Sequence, residues 1–296
     1  MGLELAEAYP IARQLFLRAD QLLDFSISQL AWYGPEGELN DTINTQPALL
    51  IHSIATLRVF QDLFPEFKPA FVAGHSMGEL SALVAAGSLP FEGAVKLVRQ
   101  RGELMKLAGE QSPGGMAAVL GADITTVEDV CEKASQGDEV VRVANDNCPG
   151  QVVISGSAPA LERVMKIAQQ SGIRKIRSLA VSIAAHSSLM TYAQEEFSQA
   201  VQQASITNPI IPVVGNVSAK SMTSADEIRS DLQAQLTSRV RWTESINQIA
   251  SQGISIFIEL GSGSVLSGLI RRIQPESQTF SLSTPQDFDR LLQEIQ

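Results

Sequence analysis

The chain has 296 residues, 44% of them hydrophobic, and a net charge of −10. That length allows one large domain or two modest ones with a real core, and the acidic balance argues against general nucleic-acid binding. The apolar runs fall short of the ~20 residues of a membrane helix, and the opening MGLELAEAYP lacks the basic and apolar regions of a secretory signal.

Helical and strand-like segments alternate, which points to an α/β protein. Residues 47–63 read as a helix opened by Pro47, with Leu50, Ile54 and Leu57 on one face. Residues 69–73 read as a short buried strand, 74–78 as a turn, and the stretch to about Ala86 as a helix; residues 91–108 read as another helix. Ser112-Pro113-Gly114-Gly115 is a turn signal. Beyond it, strands at 116–121, 140–145, 151–156 and 173–181 alternate with helices at 124–135 and 158–171. The order βαββαβ is ferredoxin-like. The expectation is a small domain at 113–178 inserted into a larger α/β domain made of 1–112 and 179–296. The larger domain resumes with a helix near 188–203, strands at 210–214 and 254–260, and a final helix after Gly261-Ser262-Gly263.

Gly74-His75-Ser76-Met77-Gly78 is a G-x-S-x-G pattern between a strand and a helix. Such a turn strains its central residue, so the positions two away on each side are expected to be small. It lifts the Ser76 hydroxyl outward and puts the Met77 N–H at a helix N-terminus, where an oxyanion is stabilised. A serine nucleophile needs a base. His75 is too close along the turn and is expected to be structural, and His52 lies in a helix among apolar residues. His186 ends the strand-like run SLAVSIAA, ahead of Ser187-Ser188, which can cap a helix. Strand ends gather site residues in α/β proteins, which makes His186 the candidate base.

On the helix 91–108, Ala94, Leu97, Val98, Leu104, Met105 and Ala108 form one apolar stripe, and Arg101 falls in its middle. A buried guanidinium requires an anionic partner. That partner is either an internal carboxylate or a substrate carboxylate held by the planar fork. Arg174, Lys175 and Arg177, then Arg239, Arg241, Arg271 and Arg272, are further basic positions that could face an anionic partner. Cys131 and Cys148 are widely spaced and the histidines are scattered, so neither a disulfide framework nor a metal site is expected. A reducing cytoplasm fits.

These residues resemble the malonyl-CoA:acyl carrier protein transacylase family, the stand-alone acyltransferases of fatty-acid and polyketide synthesis. The matching segments are Thr45-Gln46-Pro47-Ala48, Gly74 to Glu79, Asn147 to Gly156, Val240-Arg241-Trp242, and Glu259 to Gly263. The resemblance runs in one order over nearly the whole chain. It implies an α/β-hydrolase-like large domain carrying the ferredoxin-like insertion, and a soluble monomer with no cofactor. It further implies Ser76 as acyl-bearing nucleophile, His186 as base, Arg101 on the malonyl carboxylate, and Gln46 lining the site. Gln235 would orient His186 through its carbonyl, and Met77 would give one oxyanion donor. Malonyl-CoA and a phosphopantetheinylated acyl carrier protein are the implied partners.

Three departures accompany the match. The family's opening strand and Gly-Gln-Gly-x-Gln turn would lie ahead of Met1; that turn gives relatives a second oxyanion donor, of the kind worth about 2.7–4 kcal/mol. Ile183-Ala184-Ala185 lacks the polar or aromatic residue often found before the histidine, and Ser262 replaces a common proline. Two rival functions follow. A thioesterase or acyl hydrolase would share Ser76 and His186 but have no need of a buried Arg101. An impaired, non-catalytic binding member is the other.

Overall fold

A computed structural model of the chain describes residues 1–173 and 175–295. It is a mixed α/β protein in which helices predominate and, among the described residues, nine strands form three separate sheets. Val72–Ala73 (β1) pairs in parallel with Val213–Val214 (β6), which pairs antiparallel with Ser221–Met222 (β7). Gly114–Leu120 (β2), Val141–Cys148 (β3), Gln151–Ser157 (β4) and Lys175–Ser178 (β5) form an antiparallel sheet in the order β3-β4-β2-β5. Ile256–Leu260 (β8) and Gln278–Leu282 (β9) pair in parallel.

The main core lies among the helices Pro10–Leu23, Thr42–Leu63, Gly78–Ala85, Phe91–Gln111 and Thr191–Gln203. The four-stranded sheet has its own core, closed by the helices Ile124–Ala134 and Ala158–Gln170. A third cluster joins Cys148 at the end of β3 to Trp242, Ile246 and Ile249 of helix Trp242–Ala250 and to Leu269 and Ile270 of helix Val265–Ile273. β3 is also zipped onto Val240 by two main-chain bonds, Val240 N–H to Ala144 O (2.8 Å) and Asp146 N–H to Val240 O (2.9 Å). This seam fixes the chain around 235–240 that reaches the site described below.

Several expectations are corrected. The helix at 47–63 begins at Thr42, where Asp41 caps the Ile43 N–H, and Pro47 lies inside it. The missing Pro47 N–H leaves the Ile43 carbonyl without its helical donor, and Arg99 Nη1 donates to it at 3.4 Å. Gly114 and Gly115 open β2 rather than a turn: a Cβ on Gly114 would lie 2.5 Å from the Gly156 carbonyl, so β2 and β4 cross where only glycine fits. The strands expected at 69–73 and 210–214 shrink to two residues each, and the one at 173–181 to Lys175–Ser178. The helix after Gly263 is not the last, since β9 and helix Pro285–Ile295 follow. Arg174 lies outside the described residues. Among the described residues no helix is long and apolar enough to cross a membrane.

Candidate active site

β1 ends at Ala73, and the chain turns through Gly74–Met77 into helix Gly78–Ala85. Ser76 has φ 52°, a left-handed conformation that costs a side-chain-bearing residue free energy. A Cβ at Gly74 would lie 2.0 Å from the Gly78 carbonyl oxygen, so only glycine fits. A Cβ at Gly78 would meet nothing within 4 Å, so the small-residue requirement holds on one side of the turn only. The strained serine is pinned from outside. Its N–H donates to Asn216 Oδ1 (2.6 Å), and Asn216 Nδ2 donates to the Gly74 carbonyl (2.7 Å). Asn216 was not among the expected site residues. Its one sequence signal is a polar residue just past the end of a buried strand, β6. The N–H groups of Gly78 and Glu79 turn back onto the His75 and Ser76 carbonyls, whereas the Met77 N–H finds no acceptor among the described residues.

His186 stands 2.8 Å from the Ser76 hydroxyl through Nε2. Its Nδ1 lies 2.9 Å from the Gln235 carbonyl and 3.1 Å from the Ser238 carbonyl. Two carbonyls require a donor, which assigns the proton to Nδ1 and leaves the Nε2 lone pair facing Ser76. Ser238 joins Gln235 as a second orienting carbonyl that sequence reasoning did not find. Burial, reinforced by the Arg101 charge, pulls the His186 pKa down to about 3, so the imidazole is neutral at physiological pH. The segment before it is not a strand; Ser187 caps a short 3-10 turn at Ser188–Met190 instead. His75 turns away, bonding Asn147 Oδ1 (2.8 Å) and lying edge-on to Trp242. His52 is packed, between Ser262 Oγ (2.7 Å) and the Ser283 carbonyl (3.1 Å). The expected change at position 262 therefore supplies a hydroxyl that proline would lack.

Arg101 is 2% exposed. Nη1 donates to Gln46 Oε1 (2.6 Å), and Nη2 donates to Gln235 Oε1 (2.9 Å) and to Ser76 Oγ (3.0 Å). All three acceptors are uncharged groups, and the buried Nε has no partner. Burial pulls the guanidinium pKa down to about 10, a fall that an ionised Glu79 would oppose, and Arg101 remains a cation at neutral pH. Gln46 is itself held by Thr42 Oγ1 (2.7 Å) and touches Met105 Sδ, so it braces the arginine rather than the serine. The Gln235 side chain donates to the Ser76 carbonyl (3.2 Å) and to Glu79 Oε2.

The structure thus joins Ser76, His186, Arg101, Gln46 and Gln235 in one hydrogen-bonded cluster, with the Met77 N–H beside the serine. Of the other basic positions, Arg239 pairs with Glu128 (2.6 Å), Arg241 with Glu244, Arg271 donates to Thr279 Oγ1 (3.0 Å) and Arg272 to Gln151 Oε1 and the Pro149 carbonyl, while Lys175 and Arg177 are exposed. Cys131 and Cys148 are buried free thiols, and burial raises both thiol pKa values, Cys131 to about 12. Among the described residues, no group of three or more His, Cys, Asp or Glu is placed to hold a metal ion.

Residues 1–280 match the acyl transferase domain family. The malonyl CoA-acyl carrier protein transacylase of Bacillus subtilis is 42% identical over 295 residues, covering 100% of this chain and 92% of that protein. The solved malonyl CoA-acyl carrier protein transacylase of Coxiella burnetii superposes with a TM-score of 0.95 at 38% identity, over 99% of this chain and 92% of its own. A malonyl-transacylase solved in complex with its type II PKS acyl-carrier protein gives the same TM-score and identity, over 99% of this chain and 94% of its own. A serine held on a strained turn, a neutral histidine on its hydroxyl and a buried arginine against both occur here in a chain that matches at full length: it belongs to the acyl transferase domain family, among the malonyl CoA-acyl carrier protein transacylases.

Proposed function

We propose that the chain transfers a malonyl group from malonyl-CoA to the phosphopantetheine thiol of an acyl carrier protein, through an ester on Ser76. In the first step His186 Nε2 takes the Ser76 proton as Oγ attacks the thioester carbonyl. The bond to sulfur breaks, and CoA leaves as the thiol with the proton from His186. In the second step the carrier thiol gives its proton to His186 and attacks the malonyl ester, and Ser76 Oγ departs with that proton. The Met77 N–H faces the developing oxyanion. A neutral His186 at the start of each step is what a base requires. The Gln235 and Ser238 carbonyls stabilise the imidazolium that forms.

The observation that carries the malonyl specificity is the state of Arg101. A buried guanidinium beside the nucleophile, served only by neutral acceptors and with Nε unpartnered, calls for a carboxylate on the acyl group. The names of the relatives and the carrier-protein complex support the same donor and acceptor. We read residues 113–178 as a ferredoxin-like domain inserted into an α/β-hydrolase-like domain of 1–112 and 179–296. The strand order β3-β4-β2-β5, the βαββαβ sequence and the separate core support that division.

The test is intact-protein mass spectrometry after brief mixing with malonyl-CoA and, separately, with acetyl-CoA. A malonyl adduct on the Ser76 peptide that is absent from Ser76→Ala and discharged by carrier protein is expected. CoA release with no adduct and no malonylated carrier would make the chain a hydrolase instead.

A further inference from the structure

One buried acid under the turn has no part in the two steps above. Glu79, on helix Gly78–Ala85, is 0% exposed. Its Oε2 accepts from Gln235 Nε2, while its Oε1 meets no donor. Asp231, buried on helix Ala225–Gln235, brings its carboxyl within side-chain hydrogen-bonding reach of Glu79. Both Asp231 oxygens are occupied by main-chain donors, Oδ1 by the Ser218 N–H (2.9 Å) and Oδ2 by the Val217 N–H (3.0 Å). Both Asp231 oxygens thus act as acceptors, and neither presents a proton to Glu79. Two carboxyls within hydrogen-bond reach, in a site closed to water, cannot both be ionised. The proton therefore belongs to Glu79, and an Oε1–H aimed at Asp231 removes the one unpartnered oxygen of the pair. Burial raises the Glu79 pKa well above the ordinary carboxylate range, and the Asp231 charge and hydrogen bond add to that rise.

What the neutral acid does follows from its partner. The Gln235 amide has two ends, and turning it over would set its NH2 group against the Arg101 guanidinium. In the structure Nε2 faces Glu79 and the Ser76 carbonyl, and Oε1 faces Arg101 Nη2. A carbonyl-type oxygen at Glu79 selects that orientation. We infer that Glu79 is a positioning residue held as the neutral acid, whose Oε1–H bonds Asp231 and whose Oε2 locks Gln235 with its oxygen toward Arg101. Through Gln235 the same acid braces the arginine, the turn of the nucleophile and the helix end whose carbonyl holds His186. The kinetic part of this inference rests on the roles of Ser76 and Arg101 proposed above; the protonation part does not.

Glutamine reproduces the neutral acid, with an oxygen for Gln235 and an NH2 group for Asp231. Glu79→Gln is therefore expected to load malonyl within about threefold of wild type, about 0.6 kcal/mol on a scale of 1.36 kcal/mol per decade. Glu79→Leu, which leaves both partners unserved, is expected to lose about tenfold or more on that scale. The infrared difference spectrum of wild type minus Glu79→Gln is expected to show the carbonyl band of a protonated carboxylic acid. Loss in Glu79→Gln as deep as in Glu79→Leu, or absence of that band, overturns the inference. Should Glu79→Leu fail to fold, the glutamine variant and the infrared band still decide. Wild-type protein that forms no malonyl adduct would sink the proposed function and leave the infrared result to judge Glu79.

Discussion

Replacing Arg101 with alanine tests the clamp most directly. The side chain is buried and its three hydrogen bonds, of 2.6, 2.9 and 3.0 Å, run to Gln46, Gln235 and Ser76. On the proposed function, the carboxylate of a bound malonyl group sits on the buried guanidinium fork. Alanine then leaves a buried carboxylate without a counter-charge, which costs about 3–5 kcal/mol. At 1.36 kcal/mol per decade, malonyl loading should fall by about two to four orders of magnitude. An acetyl group has no carboxylate, so it loses only the bracing of Ser76, Gln46 and Gln235. A net hydrogen-bond value of about 1 kcal/mol puts that loss near fivefold. Arg101→Lys keeps the charge but not the planar fork and should fall between wild type and alanine for malonyl. The assay is stopped-flow release of CoA together with the mass of the acyl-enzyme, with each donor in turn. Equal losses for malonyl and acetyl would refute the clamp, because the missing guanidinium would then matter only for the serine.

Gly74→Ala should prevent the turn from forming, since its Cβ would lie 2.0 Å from the Gly78 carbonyl, whereas Gly78→Ala meets open space and should fold with wild-type stability or slightly better; thermal melts of the two proteins decide, and equal destabilisation would count against the turn geometry. Asn216→Ala removes two bonds that hold Ser76 at φ 52° and should cost about 1–3 kcal/mol of stability together with acylation rate. Asn216→Asp should not rescue it, because a carboxylate cannot donate to the Gly74 carbonyl; a fully active aspartate variant would argue that only the Ser76 N–H contact matters. His52, His75 and His186 all lie below the ordinary value of 6.5, chiefly through burial. The unfolded chain therefore takes up protons that the folded chain refuses. The stability they contribute is full above about pH 6.5 and is lost as pH falls from there, by up to about 1.4 kcal/mol per pH unit for each histidine until its own lowered folded value is reached. Glu79 works in the opposite sense: its stability is full below the unfolded value of 4.5 and is lost as pH rises through its raised folded value. Between those two limits the histidines outweigh it, so urea midpoints should fall as pH drops from about 6.5 to 5; a midpoint that holds or rises would show that these histidines are not kept neutral.

The sequence by itself determined the features that are local or periodic. The turn around Ser76 was legible because its chemistry lies in five consecutive residues flanked by a strand and a helix. Arg101 was legible because a helix repeats every 3.6 residues and one charged residue fell in an apolar stripe. The small antiparallel sheet was legible from its alternation of strands and helices, although the edges of its elements were not. His186 was located by its place near a strand-like run, for a partly mistaken reason, since the structure shows no strand there.

Only the tertiary structure decided the partners. Asn216 reaches Ser76 across 140 positions and Gln235 meets Glu79 across 156. No local propensity encodes such a meeting, because it depends on which helix and strand ends the packed core brings together. The two-residue strands β1 and β6 are stretches of backbone whose strand character comes from pairing with each other. Pro47, which reads as a helix start, sits mid-helix because Asp41 caps one turn earlier and Arg99 serves the carbonyl left free. The neutral acid inferred at Glu79 belongs to the same class: it depends on Asp231, 152 positions away in the chain, whose two carboxyl oxygens already accept main-chain donors.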